Sequence, residues 1–231
     1  MTLRQPHPSA VGQTDARSEA EAAFLREALV PQRTALVAID FQNDFCAPGG
    51  FYATVGNDLA MGQAAARQTA ALLPCARDAG VLVVIVRAVY DAPYVSPMMR
   101  RFYERKGFPL EYCREGTWGA GFYEIAPEPS DLIVTKHRYS AFVDTPLHAI
   151  LRAHEIKTVL LAGVATNVCV ESTARDAFMY DYDVAVLADC TGSYSEQLYE
   201  ATLENTRRAF GIVTSAAEAT AIWDRAGAEA P

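Results

Sequence analysis

The apolar positions of this chain fall into two alternating patterns. Short runs at 34–39, 81–86, 132–135, 158–162, 184–188 and 212–213 are almost continuously hydrophobic. Such runs predict strands that are buried on both faces. Between them, residues 58–79, 145–154, 170–178 and 195–210 repeat apolar side chains at three- and four-residue spacing, the period of an amphipathic helix. Pro74 is expected to kink or punctuate the first of these helices, and Pro146 to open the second at its first position. A last helix follows Ile212-Val213. Regular alternation of strand and helix predicts an α/β fold: an open, doubly wound, mostly parallel sheet with helices on both faces.

Two stretches break this rhythm. Residues 1–33 are polar and rich in Ala and Glu, and Ser18-Glu19-Ala20-Glu21 has capping-box spacing ahead of Phe24, Leu25, Ala28 and Leu29. They read as an N-terminal arm carrying a short helix, or as a flexible tail, in front of a domain spanning 34–231. Residues 88–130 are dominated by Pro, Gly and aromatics, with Arg100, Arg101, Arg105, Lys106 and Arg114 interspersed. This is the pattern of a long excursion over the strand ends, with a short helix near 97–106. Its charges read first as a solvated basic face and second as an anion site.

Composition narrows the class. A chain of 231 residues that is 51% hydrophobic can bury one full core, and a net charge of −8 argues against a nucleic-acid partner. No run is long enough to cross a bilayer, and Met1 to Ala10 lack the apolar core of a signal peptide, so a cytoplasmic protein is expected. Five cysteines at irregular spacing form neither a disulfide framework nor a zinc pattern. Seventeen arginines stand against three lysines, Lys106, Lys136 and Lys157. Lysine can lose its proton when buried and arginine cannot, so a lysine at a strand end invites a chemical question.

Three strands end in reactive groups: Asp40, Lys136, and a small-residue turn leading to Cys169. Open α/β sheets bind ligands at those ends. In Gly163-Val164-Ala165-Thr166-Asn167-Val168-Cys169-Val170, Thr166 or Asn167 is a candidate N-cap, which puts Cys169 in the first turn of a helix. Unpaired N–H groups and the helix dipole there favour a thiolate and could hold an oxyanion. The plainer alternatives are that Cys169 is a small buried hydrophobe and Asp40 a turn former. As chemistry, Lys136 would stabilise the thiolate, while Asp40 would take the thiol proton and return it to a leaving amine. Water would then hydrolyse the acyl-enzyme. Histidine offers no obvious base: His7 lies in the tail, His148 and His154 lie mid-helix, and His137 alternates away from Lys136.

Asp40-Phe41-Gln42-Asn43-Asp44-Phe45, the strand-end Lys136 and the Gly163–Val170 turn together resemble the isochorismatase-like cysteine hydrolases over about residues 34–215. The resemblance implies a parallel sheet of about six strands and a catalytic triad of Asp40, Lys136 and Cys169. It also implies a cis bond between Val164 and Ala165, an oxyanion hole from the amides of Ala165 and Cys169, and assembly as a homodimer or homotetramer. Lys136-His137-Arg138-Tyr139-Ser140-Ala141-Phe142 and Thr145-Pro146-Leu147 look most like ureidoacrylate amidohydrolases, with biuret and triuret hydrolases and N-carbamoylsarcosine amidase as near relatives.

Nicotinamidases of this fold carry an Asp-x-His metal site after the second strand. Here that place reads Arg87-Ala88-Val89-Tyr90-Asp91, so neither metal nor other cofactor is expected. Isochorismatase itself cleaves a vinyl ether without a cysteine nucleophile, and a non-catalytic binding protein would not need all three triad residues. The expected substrate is therefore a small ureido or carbamoyl compound, cleaved with release of ammonia. Expected walls are Phe45, Tyr139 and Trp118, with Arg87 or Arg138 for an anionic end.

Overall fold

The computed structural model describes residues 19–107 and 111–229. Ser18, and with it the capping box, lies outside the described residues. The helix behind it, α1 (Glu19–Ala28), is described; it places Leu25 and the following Leu29 in one of the two cores, and Ala28 is buried as well. The Ala28 carbonyl accepts from the Thr158 hydroxyl at 2.5 Å, so α1 is tied to the start of a central strand.

Six strands form one parallel sheet: β1 (Thr34–Ile39), β2 (Leu82–Ala88), β3 (Leu132–Lys136), β4 (Thr158–Val164), β5 (Asp183–Gly192) and β6 (Ile212–Thr214). Their order is β3-β2-β1-β4-β5-β6. In β1 every residue is buried, and alternate side chains enter two different cores. Leu36 and Ala38 join the layer packed by α1, while Ala35, Val37 and Ile39 join the opposite layer. This two-sided burial is why the strands read as unbroken apolar runs rather than alternating ones.

Helices cover both faces. After the short α2 (Asn43–Cys46) and α3 (Phe51–Thr54) comes α4 (Ala60–Asp78), which runs unbroken through Pro74. The remaining helices are α5 (Pro97–Arg105), α6 (Leu147–Ala153), α7 (Glu171–Met179), α8 (Glu196–Asn205) and α9 (Ala216–Glu229). Pro146 is the N-cap of α6 rather than its first residue. Chain direction across the sheet reverses between β1 and β4, and a crevice opens at the carboxyl ends of strands at such a reversal. Asp40 follows β1 and the Cys169 turn follows β4, so the fold puts both at this crevice.

Gly163 of β4 stands opposite Ile39 of β1, with a φ of +141°. A Cβ there would sit 2.3 Å from the Ile39 carbonyl oxygen and 2.7 Å from the Ile39 Cβ. Gly163→Ala should therefore cost about 3 kcal/mol or more, from the disfavoured backbone and the clash with backbone atoms of β1. A urea-unfolding midpoint equal to that of the wild type would show that the approach is not fixed.

Candidate active site

Asp40 leaves β1 in the left-handed region, at φ 57°, with its N–H donating to the Val86 carbonyl at 2.9 Å. Its side chain is completely buried. The residues behind it hold the surrounding loops together. The Gln42 side-chain amide donates to the carbonyls of Ala88 and Ala120, both at 2.9 Å, and accepts from the Ala88 N–H at 2.7 Å. Asn43 Nδ2 donates to the Trp118 carbonyl at 2.7 Å. Asp44 accepts from the N–H groups of Phe51 at 3.0 Å and Cys113 at 2.6 Å. One short segment thus ties β2 and the excursion to the end of β1. The sequence offered a signal for this: amide and carboxylate side chains among aromatics beside a buried strand must find partners.

Lys136 ends β3 and is also completely buried. Its Nζ lies 2.7 Å from Asp40 Oδ2 and 3.5 Å from Cys169 Sγ, and it donates to the Arg138 carbonyl at 2.9 Å. Burial pushes the Lys136 pKa down, but Asp40 and the Cys169 sulfur outweigh it, and the ammonium is held above its ordinary value. Burial lifts Asp40 above the ordinary carboxylate range, against the pull of Lys136 and of a hydrogen bond to Cys169. That makes Asp40 a stronger base than a carboxylate in water. Besides the Lys136 ion pair the Asp40 carboxylate faces the Cys169 thiol, so it is placed to take that proton.

Cys169 is buried beside both charges. Its pKa is pushed up to about 12, by burial first; Lys136 pulls it down and Asp40 raises it again. The Asp40 carboxylate thus works against the Lys136 ammonium in setting the acidity of the thiol. The turn also differs from a capped α-helix. After a cis bond at Val164–Ala165 the chain makes a π-helical turn over Thr166–Val170, and α7 begins only at Glu171. Neither candidate cap acts as one: the Thr166 hydroxyl pairs with that of Thr191 at 2.9 Å, and Asn167 accepts from Ser193 at 2.7 Å. Tertiary partners on β5 and just beyond it take both side chains. Thr173 steadies the turn by donating to the Cys169 carbonyl at 2.7 Å and accepting from the Ala141 N–H at 3.0 Å.

Above the triad opens a cavity of about 560 Å³ lined by Ala165, Cys169, Asn167, Ser193 and nine aromatic residues. Six of the nine are tyrosines: Tyr52, Tyr90, Tyr103, Tyr112, Tyr139 and Tyr194. Burial, foremost, raises the pKa of each, so they present neutral hydroxyls. The hydroxyls of Tyr103 and Tyr139 are paired at 2.7 Å, which joins α5 to the loop after Lys136.

The model of the isochorismatase domain matches residues 34–218. The chain belongs to the isochorismatase family. Among curated relatives, ureidoacrylate amidohydrolase RutB of Methylobacterium radiotolerans is 36% identical over 207 residues, covering 82% of this chain and 79% of the relative. RutB of Rhizobium rhizogenes is 33% identical over 201 residues, covering 81% and 82%. The crystal structure of a cysteine hydrolase from Pseudomonas syringae pv. phaseolicola superposes with a TM-score of 0.77 at 27% identity, covering 85% of this chain and 94% of that one. The isochorismatase-family fold is thus shared along most of the chain, whereas α1 precedes the matched domain.

Within this isochorismatase-family site the expected residues separate. Asp40, Lys136 and Cys169 meet, and Ala165, Phe45 and Tyr139 line the cavity above them. Arg87, Arg138 and Trp118 are not among the lining residues. Arg87 forks onto Glu115 at 3.0 and 3.1 Å and donates to Thr135 at 3.0 Å. Arg138 folds back onto the carbonyls of Tyr94 at 2.9 Å and His137 at 2.7 Å. The Trp118 ring is 60% exposed, and its place in the loop is set by its backbone carbonyl. His137 packs, with its ring stacked on Tyr94 and Nδ1 2.7 Å from the Val89 carbonyl. Among the described residues no group of three His, Cys, Asp or Glu is placed to hold a metal ion. No sequence pattern singles out the tyrosines other than Tyr139, although Tyr90, Tyr103 and Tyr112 all lie in the aromatic-rich excursion.

Proposed function

We propose that this chain is a cysteine amidohydrolase that cleaves a C–N bond in a small ureido or carbamoyl compound, with release of ammonia. The observation that carries the reading is a buried carboxylate, ammonium and thiol in mutual contact at the base of an aromatic cavity. Asp40 takes the thiol proton as the sulfur attacks the carbonyl carbon, and Lys136 stabilises the sulfur's negative charge. The N–H groups of Ala165 and Cys169 receive the oxyanion. When the tetrahedral intermediate collapses, the C–N bond breaks and Asp40 returns the proton to the departing nitrogen. Water then attacks the thioester or thiocarbamate carbon, loses a proton to Asp40, and the thiol is regenerated. With a ureido substrate the carbamate so formed breaks down to carbon dioxide and ammonia.

Two features support the ureido class. The two curated relatives described above are ureidoacrylate amidohydrolases, and the walls are flat rings carrying neutral hydroxyls, which suit a planar group rich in donors and acceptors. The test is ammonia release from a panel of ureido acids, biuret, carbamoyl amino acids, nicotinamide and an unsubstituted fatty amide. The ureido or carbamoyl members should give the highest kcat/KM. If nicotinamide or the fatty amide exceeds all of them by about tenfold, roughly 1.4 kcal/mol of transition-state preference, the substrate class is wrong.

A further inference from the structure

Among the described residues, the lining of the cavity contains one charged side chain, Lys106. It belongs to neither triad nor turn. Lys106 closes α5, and Gly107, at φ 73°, ends the helix there. Phe102 lies four residues earlier on the same face, with Lys106 Nζ 5.9 Å from its ring centre. Phe102 is 38% exposed, whereas the next residue, Tyr103, is buried and reaches inward to Tyr139. The face of α5 therefore runs from the floor, where Tyr103 meets the residue group around Lys136, to the mouth, where Lys106 stands in solvent. No carboxylate of the described residues forms an ion pair with Lys106. The arginines that the sequence suggested for an anionic end are both occupied elsewhere.

We propose that Lys106 receives the anionic end of the substrate, and that the preferred substrates are flat carboxylate-bearing amides or ureides whose reactive carbonyl reaches Cys169 while the carboxylate stays at the mouth. This rests on the cavity being the site of the Cys169 chemistry. A single ammonium at one end of an uncharged aromatic channel fixes which way an amphipathic molecule enters. The volume of about 560 Å³ lies in the range of pockets that enclose a ring-bearing ligand, so the body between the two ends can include a ring. A lysine at a helix C-terminus is also what the helix dipole favours, so the test must read ligand charge rather than stability.

The experiment uses two affinity labels that differ only in charge, 4-(iodoacetamido)benzoate and 4-(iodoacetamido)benzamide. Each alkylates a thiol with loss of iodide, and the second-order rate at Cys169 is followed by mass spectrometry in wild type, Lys106→Gln and Lys106→Arg. Lys106→Gln should slow the benzoate by about fivefold, the scale of one solvent-facing charge contact, and leave the benzamide within a factor of two. Lys106→Arg should keep the wild-type ratio, and raising the salt should erode the benzoate's advantage in wild type and Lys106→Arg but change little in Lys106→Gln. Equal effects on both labels, no effect on either, or no labelling of Cys169 by either would overturn the proposal. Because the labels contain no ureido group, failure of the ureido substrate class in the ammonia assay leaves this result unaffected.

Discussion

Cys169→Ala is expected to fold like the wild type and to lose at least about 10⁴-fold in kcat, the scale on which removal of a covalent nucleophile acts. The fold should survive because Cys169 is a small side chain whose sulfur contacts the triad rather than filling a large void, and because the turn is held by the Thr173 hydroxyl and the Thr166–Thr191 pair. The other cysteines provide the control. Cys46, Cys113 and Cys190 are buried and Cys75 is exposed, and replacing any of them by Ala should leave most of the turnover. Burial pushes the Cys46 and Cys190 thiols up to about 12, and neither has an ammonium to hold a thiolate. A Cys169→Ala variant that keeps a tenth of the wild-type rate in the ammonia assay would end the covalent mechanism.

The Asp40–Lys136 pair should give the second large effect, and it separates stability from catalysis. Lys136→Met leaves the Asp40 carboxylate fully buried without its counter-charge, a situation that costs about 3–5 kcal/mol. Adding Asp40→Asn removes that charge as well and should restore much of the stability without restoring turnover. Asp40→Asn alone has a more specific signature. The Asp40 charge raises the Cys169 pKa, so its removal lowers it and enlarges the thiolate fraction at pH 8. Neutral alkylating agents should then label Cys169 faster in Asp40→Asn than in wild type while hydrolysis falls by orders of magnitude. Chemical denaturation, alkylation rate and ammonia release measured on the three variants decide the matter. Slower alkylation in Asp40→Asn would mean that the carboxylate helps the thiol more by taking its proton than it opposes the thiolate by its charge, whereas near-wild-type hydrolysis in Asp40→Asn would remove Asp40 as the base.

Much of this molecule was written in the chain itself. Residues 34–39 and 158–162 read as strands because a sheet covered on both faces admits polar side chains only where they find a partner; both are entirely buried, and their only polar residues, Thr34 and Thr158, donate to the carbonyls of Val30 and Ala28. The same covering explains why the strand ends stood out: Asp40 and Lys136 are where an apolar run stops on an ionisable group, and a scarcity of lysine drew attention to the second. What the sequence could not determine depends on which groups meet across the sheet. Burial foremost, and then the carboxylate from β1 standing beside the ammonium from β3, hold the Cys169 thiol above its ordinary pKa, and no local feature of the Cys169 turn reveals either. Thr166 and Asn167 have the composition of helix caps, yet partners on β5 and just after it claim them first. Arg87 and Arg138 are held by nearby carboxylate and carbonyl groups, whereas Lys106, at the end of α5, lines the cavity. Periodicity reports burial, a property of each residue and its neighbours in sequence. Pairing between distant side chains is decided only when the strand order 3-2-1-4-5-6 brings their ends together.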